Sequence, residues 1–300
     1  MRFEFGQKII DKIRRKKQNI TIDWSNRKKY VQNIKKSFES CFGYNLDLKN
    51  PKTFAEKMMW LRIYDNTLLK SNCADKYKVR EYVKDKIGEE YLIPIYGVYD
   101  NFDDINFNNL PNQFVIKCNH GSGYNVIVKD KNIFDKDVAK QKVDSWLKTD
   151  YGTLYGEIHY SSIQPKIVIE KYLQQLNGKI YDYKFYCFNG KVKFLYVAIN
   201  DTPDHISAIS LYNLDFKKLP VKYGYYNEID EELLKPHNFD NMIEIAEKLS
   251  KDFIFVRVDL YNINEKIIFS ELTFTPGGGY SNFQPQEWNY KLGDLLELKR

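Results

Sequence analysis

Two β-forming runs near the carboxyl end, FIFVRVDLY (253–261) and KIIFSELTF (266–274), constrain the fold more than any other stretch, because both are largely apolar yet the first carries Arg257 and Asp259 at alternate positions and the second carries Glu271. Side chains alternate across a strand, so Phe255, Arg257, Asp259 and Tyr261 share one face and Val256, Val258 and Leu260 the other. By the same rule Phe269, Glu271 and Thr273 share a face of the partner run. Residues 262–265 join the two. In an even-summed hairpin register Asp259 falls opposite or diagonal to Glu271, with Arg257 beside Thr273. Two carboxylates on one otherwise apolar surface repel each other and lose hydration, so they are stable there only if a cation or a buried partner compensates. A hard divalent ion with oxygen ligands would do so. An ion pair between Arg257 and one carboxylate on a wet face is the other reading.

A second feature is the stretch FVIKCNHGSGYNVIV (114–128), in which two β-forming runs flank a loop over residues 119–125. A plain hairpin needs only two turn residues. This loop holds His120, Gly121, Ser122 and Gly123, and the strand before it carries Lys117 in an apolar setting. Such an arrangement can lay backbone N–H groups over a polyphosphate while the lysine reaches its oxygens. An ordinary hairpin remains the competing reading. No Gly-Lys-Ser/Thr follows the loop, and the third glycine of G-x-G-x-x-G is missing, so it is neither a Walker nor a dinucleotide loop. The H-R-D and D-F-G pair of protein kinases is absent. So are a G-x-S-x-G and a Cys/His signature.

The remaining chain alternates helical stretches with hairpins. NPKTFAEKMMWLRIYD opens a helix at Thr53 with Glu56 three residues on, a capping box. CADKYKVREYVKDKIG reads as one helix ending near Gly88, with a strand entering through Pro94. Strands are expected at 114–118, 124–129 and 166–171. DYKFYCFNGKVKFLYVA is a hairpin turning at Asn189-Gly190. Met242, Ile245, Ala246 and Leu249 recur at helical spacing. Helices grouped in some segments and hairpins in others point to an α+β class. Residues 1–45 read as helical and basic, a first helix that either docks on the body or meets a membrane surface. The four cysteines stand far apart, which fits reduced thiols in a cytoplasmic protein and argues against structural zinc. No apolar run approaches ~18 residues, and the basic amino-terminal stretch lacks a secretory h-region. The net charge of +6 suits anionic small ligands better than nucleic acid.

Taken in order, these motifs resemble the ATP-grasp ligases, most closely the TupA-like ATP-grasp group linked to surface-polysaccharide synthesis, over roughly residues 50–290. The resemblance implies an ATP-grasp fold, two α+β lobes clamping ATP behind a helical amino-terminal extension. The implied division is a basic segment at 1–50, an α/β region at 51–112, a central lobe with the glycine-rich lid at 113–172, and a carboxyl-terminal lobe with the metal site at 173–300. DKYKVR resembles the helix that delivers a first basic residue, here Arg80, where lysine is commoner. Lys117 and the lid residues 120–123 would meet phosphate. IVIEKYL resembles the interlobe hinge, with Glu170, Lys171, Tyr172 and Leu173 holding adenine. DYKF would bring Asp182 to the ribose and Lys184 to phosphate or substrate. RVDLY and ELTFTPGGG resemble the terminal metal strands, with Asp259, Glu271 and Thr273 holding Mg²⁺; Thr273 stands where many relatives have asparagine. Arg257 would stabilise the acyl phosphate. The implied partners are ATP, a carboxylate-bearing sugar or polysaccharide precursor, and an amine. The expected location is cytoplasmic, with contact at the inner membrane face through the basic helix. An ATP-grasp kinase acting on a sugar hydroxyl, or a glycosyltransferase, is the alternative. Tyr280, Phe283 and Trp288 could stack on sugar faces or simply pack.

Overall fold

The computed structural model describes residues 27–173, 180–202 and 205–298. The basic stretch of residues 1–26 lies outside them. Helix α1 (Arg27–Phe42) buries Tyr30, Ile34 and Phe38 and turns its cations outward. Helix α2 (Phe54–Tyr64) starts where its capping box directs: the Glu56 N–H donates to Thr53 Oγ1 (3.2 Å), and the Thr53 N–H to Glu56 Oε2 (2.9 Å). The single helix expected over 73–88 is two. Helix α3 (Leu68–Ala74) stops at Asp75, whose Oδ1 accepts from the N–H groups of Tyr77 and Lys78, and α4 (Val79–Ile87) begins beyond it. Asp75 competes with the helix for backbone donors, a local effect that hydrophobic periodicity does not register.

Two antiparallel sheets follow. The first contains β1 (Ile95–Tyr99), β2 (Phe114–Cys118), β3 (Asn125–Val128) and β4 (Ile167–Lys171), in the order β1-β4-β2-β3. One face packs Phe114, Ile116, Ile167 and Ile169 against Ala139 and Val143 of α5 (Lys136–Leu147). The opposite face carries Lys117 and Glu170. Helix α6 (Tyr151–Tyr155) precedes β4. The second sheet contains β5 (Ile180–Phe188), β6 (Lys191–Thr202), β7 (His205–Tyr212), β9 (Phe255–Ile263) and β10 (Lys266–Thr273), ordered β10-β9-β5-β6-β7. A short pair, β8 (Lys222–Tyr223) with β11 (Phe283–Gln284), stands apart. Asn189 and Gly190 turn the β5–β6 hairpin with φ of 51° and 80°. The final hairpin turns on Asn264 and Glu265, tighter than the four-residue loop expected.

The second sheet is covered unequally. Helix α7 (Phe239–Ser250) lays Met242, Ile245, Ala246 and Leu249 against Phe185, Val256, Val258 and Leu260. On the other face Phe255, Tyr186 and Phe188 pack under α2 and α8 (Glu287–Asp294). Further along those same strands this face turns from aromatic to charged, and there the candidate site begins.

Candidate functional site

Register places the charged residues. Asp182, Lys184 and Tyr186 of β5 stand opposite Tyr261, Asp259 and Arg257 of β9. On the other side of β9, Glu271 faces Asp259 and Thr273 faces Arg257, the even-summed pairing. Nearer the turn the pairing is odd-summed, with Phe269 opposite Leu260, and the change occurs at a bulge on Ser270. Phe269 therefore does not share a face with Glu271 and Thr273. It joins Leu272 against the α7 side, and the bulge alone brings Glu271 round to Asp259.

Arg257 is the hub. Its Nε donates to Asp259 Oδ1 and its Nη2 to Asp259 Oδ2, both at 2.6 Å. Nη2 also reaches Thr273 Oγ1 (2.9 Å) and Glu271 Oε1 (3.3 Å), and Nη1 reaches the Tyr196 hydroxyl (3.2 Å). Lys184 Nζ lies 2.5 Å from Asp182 and 2.6 Å from Asp259. Asp259 is 0% exposed, so this pairing is buried rather than wet. Burial pushes the Asp259 carboxyl up to about 6 against the pull of Arg257 and Lys184. Glu271, its side chain 37% exposed, is held at about 2: burial would raise it, but Lys184, Arg257 and Lys76 outweigh that. Burial would also discharge Lys184, but Asp182 and Asp259 keep it charged well above its ordinary range.

The first sheet faces this cluster with Lys117 and Glu170, paired at 2.6 Å. Lys76 links the two sheets. Released from helix at the Asp75 break, its Nζ donates to the Gly121 carbonyl, and it feels the charges of Glu271, Lys117 and Glu170. Burial pushes Lys76 down, an effect that Lys117 reinforces and Glu271 opposes. Sequence reasoning missed Lys76, because the DKYKVR segment read as uninterrupted helix. Arg80 instead turns its Nη1 to the Ile93 carbonyl (2.8 Å), within reach of Glu170's charge. Tyr196 was also missed; it is found only through its register opposite Lys184.

The glycine-bearing loop over residues 119–125 is packed, not splayed. His120 is buried, its Nε2–H donating to the Trp146 carbonyl at 2.9 Å, and burial lowers its pKa. The Tyr124 ring stacks on Trp146 with centroids 5.1 Å apart. A Cβ on Gly121 would lie 2.6 Å from the Tyr151 ring, so no larger residue fits there. Ser122 and Gly123 are exposed, with Gly123 at φ +74°. Lys171 is exposed and Tyr172 and Leu173 half-buried just beyond β4. Of the aromatic residues after β10, Phe283 is core, Tyr280 lies parallel to Phe42 (6.4 Å), and Trp288 packs beside the Phe54 cluster.

The family model for TupA-like ATPgrasp matches residues 56–297. The chain belongs to the TupA-like ATP-grasp family. Among solved structures it is similar to D-alanine–D-alanine ligase from Helicobacter pylori: 19% identity over 75% of this chain and 61% of that one, TM-score 0.40. L-amino acid ligase from Bacillus licheniformis aligns at 14% identity over 91% and 61%, TM-score 0.43. D-alanine–D-alanine ligase from Bacillus anthracis, complexed with ATP, aligns at 16% over 67% and 53%, TM-score 0.39. The chain thus spans between 53% and 61% of the length of these three. No curated protein matches it.

The residues present fit the nucleotide that this family's name implies. Asp182 Oδ1, on the charged face of the second sheet, is a buried polar atom without a protein partner. An acceptor such as Asp182 Oδ1 suits a sugar hydroxyl donor. Among the described residues no group of three or more His, Cys, Asp or Glu could hold a metal ion. Mg²⁺ takes one or two carboxylates and completes its shell with phosphate and water; Glu271, partly exposed and beside the Thr273 hydroxyl, has the chemistry for such a role. No helix among the described residues is long and apolar enough to cross a membrane.

Proposed function

We propose that the protein is an ATP-dependent carboxylate–amine ligase that forms an amide through an acyl phosphate. The observation that carries this is Lys76, which stands between Lys117 and Glu170 of the first sheet and Glu271 of the second, with Arg257 and Lys184 gathered on Asp259 beside it. Cations suited to a polyphosphate and carboxylates suited to its metal thus meet in one cleft. Lys117, Lys76 and Lys184 hold the phosphates; Arg80 adds positive charge at the edge. Residues 120–123 cover the phosphates. Glu170 and the main chain of residues 171–173 hold the base, and Asp182 takes a ribose hydroxyl. Glu271, with the Thr273 hydroxyl, would hold Mg²⁺, which when bound neutralises the charge that moves in phosphoryl transfer; Asp259, its oxygens engaged by Arg257 and Lys184, would fix those cations beside the metal.

A carboxylate oxygen of the substrate attacks the γ-phosphorus, the bond to the bridging oxygen breaks, and ADP leaves. An amine then attacks the acyl carbon, inorganic phosphate departs, and one amine proton is lost. Arg257, fixed by Asp259 and Tyr196, stabilises the charge that gathers on the acyl oxygens. No side-chain nucleophile is needed.

As to substrate, we propose a uronic-acid carboxylate of a bacterial surface polysaccharide or its precursor, joined to an amino-bearing group. Membership of a polysaccharide-linked family supports this, as does the cationic character of the cleft. The basic amino-terminal segment would keep a cytoplasmic enzyme near a membrane-bound acceptor. The test is ADP release with Mg²⁺ and a panel of uronic acids, amino sugars and amino acids, followed by mass spectrometry. An amide product is expected. A phosphorylated sugar would favour a kinase, and no ADP with any carboxylate would refute the ligase.

A further inference from the structure

Arg62 of α2 is 3% exposed, yet its guanidinium makes no hydrogen bond to a carboxylate among those resolved. Nε and Nη2 both donate to the Gly156 carbonyl (2.9 and 2.8 Å), Nη2 also to the Tyr155 carbonyl (2.6 Å), and Nη1 to the Gly278 carbonyl (2.7 Å) and Met59 Sδ (3.9 Å). Five contacts match the five N–H donors of a guanidinium. Tyr155 and Gly156 end α6, where helix carbonyls lack partners. Gly278 sits in the middle of a loop, Gly277–Gly279, whose φ values are 58°, 66° and 79°.

That loop follows β10 after residues 274–276. It is held at two points besides Arg62 and at a third on Arg62 itself. Thr275 Oγ1 donates to Glu157, the residue next to Gly156. Gly279 lies so close to α2 that a Cβ there would meet Met59 Cε at 2.8 Å. The Tyr280 ring lies 5.5 Å from the Arg62 guanidinium. Burying a charge is costly, and an apolar side chain of similar volume would often stabilise the fold as well or better. What the planar fork supplies and an apolar chain cannot is a fixed spacing between two main-chain segments. The loop it fixes begins four residues after Thr273 and six after Glu271.

We propose that Arg62 is a positioning residue for the nucleotide–metal site. By clamping Gly278 to the end of α6, it sets where β10 leaves the sheet, and so holds Glu271 and Thr273 at the distance a phosphate-bound Mg²⁺ requires. This rests on the ligase reading above insofar as that reading places Mg·ATP at Glu271.

The test compares ATP affinity with Mg²⁺ and with EDTA, by calorimetry, in Arg62→Lys and Arg62→Gln. Lysine keeps the charge but offers three donors without the fork. Both variants are expected to lose about tenfold in the ratio of Mg·ATP to metal-free ATP affinity, with metal-free affinity unchanged. Lys57→Met is the control. Lys57 sits on the same helix and crosslinks it to α8 through the Gly293 and Leu296 carbonyls, both at 2.7 Å. It should lower thermal stability without moving the ratio. A ratio unchanged in both Arg62 variants, or moved equally by Lys57→Met, overturns the proposal. Wild-type protein that binds no ATP in either buffer overturns the ligase reading with it. If Arg62→Gln fails to fold, the Arg62→Lys result decides alone.

Discussion

Asp259 and Glu271 face each other across two strands and carry the same charge, but their surroundings give them different work. Both Asp259 oxygens are taken by Arg257 and Lys184, and none of its surface is exposed. Asp259→Asn should therefore cost stability as well as function, about 3–5 kcal/mol in urea unfolding, because two buried cations lose their shared counter-charge. Glu271 is more than a third exposed. Glu271→Gln should change stability by less than about 1 kcal/mol, the range of an exposed ion pair, while abolishing the Mg²⁺ dependence of nucleotide binding. A Glu271→Gln protein that binds Mg·ATP as wild type does would remove Glu271 from the metal site. The sequence made this pair legible because alternation alone puts charge on an apolar strand. It could not show that Arg257 binds Asp259 through two nitrogens, nor that Lys76 rather than Arg80 donates to the lid loop at Gly121. Those facts depend on which way a side chain turns after a local break in the helix.

At the scale of elements, strand alternation was readable and its interruption was not. Periodicity places Phe269 with Glu271, whereas the Ser270 bulge sends Phe269 to the opposite face and makes the even-summed pairing possible. Nothing in FSELT marks the bulge: serine is an ordinary strand residue, and the register is set by Leu260 and Val258 both seeking the α7 side. Deleting Ser270 would close the bulge and leave Glu271 opposite Asp259, because Phe269 already pairs with Leu260 and the residue after it then meets Asp259. We expect a folded protein by far-UV circular dichroism that keeps Mg·ATP binding. Lost binding would show that the local twist of the bulge, beyond the register, aims the site. The turn of the same hairpin offers a gain instead. Glu265 sits at φ 66° and Asn264 at φ 50°, where Asn-Gly is the favoured pair. Glu265→Gly should stabilise the protein by about 0.5–1 kcal/mol, the cost of a left-handed residue bearing a Cβ, less glycine's greater unfolded entropy. A fall in the urea midpoint would show that Glu265 makes a contact worth more than its strain.

At the scale of the whole molecule, the two sheets are joined by polar groups buried where α2, α3 and residues 155–160 meet the end of β10, and this junction should set the response to pH. His159 is its titrating member. It is 4% exposed, packs on Tyr160 and Phe274, and its Nε2 has no hydrogen-bond partner. Burial, aided by the charges of Lys70 and Arg62, pushes its pKa from 6.5 down to about 3. The unfolded chain therefore takes up a proton near pH 6.5 that the folded chain refuses until near pH 3. Between those limits the unfolded state binds more protons, so stability rises with pH; the contribution is complete above pH 6.5 and is lost as pH falls. The loss is on the order of a few kcal/mol across the window, at about 1.4 kcal/mol per pH unit. His159→Phe keeps an aromatic ring against Tyr160 and Phe274 and removes the titration. We expect the urea-unfolding free energies of wild type and variant to run parallel above pH 7, where neither side chain is charged in either state, and wild type to lose ground to the variant progressively as pH falls from 6.5 towards 3. The decisive quantity is the slope between pH 6.5 and 4, which should be steeper in wild type by close to one proton. Equal slopes would mean that His159 is protonated in the fold, with Lys70 or Arg62 displaced to admit its charge.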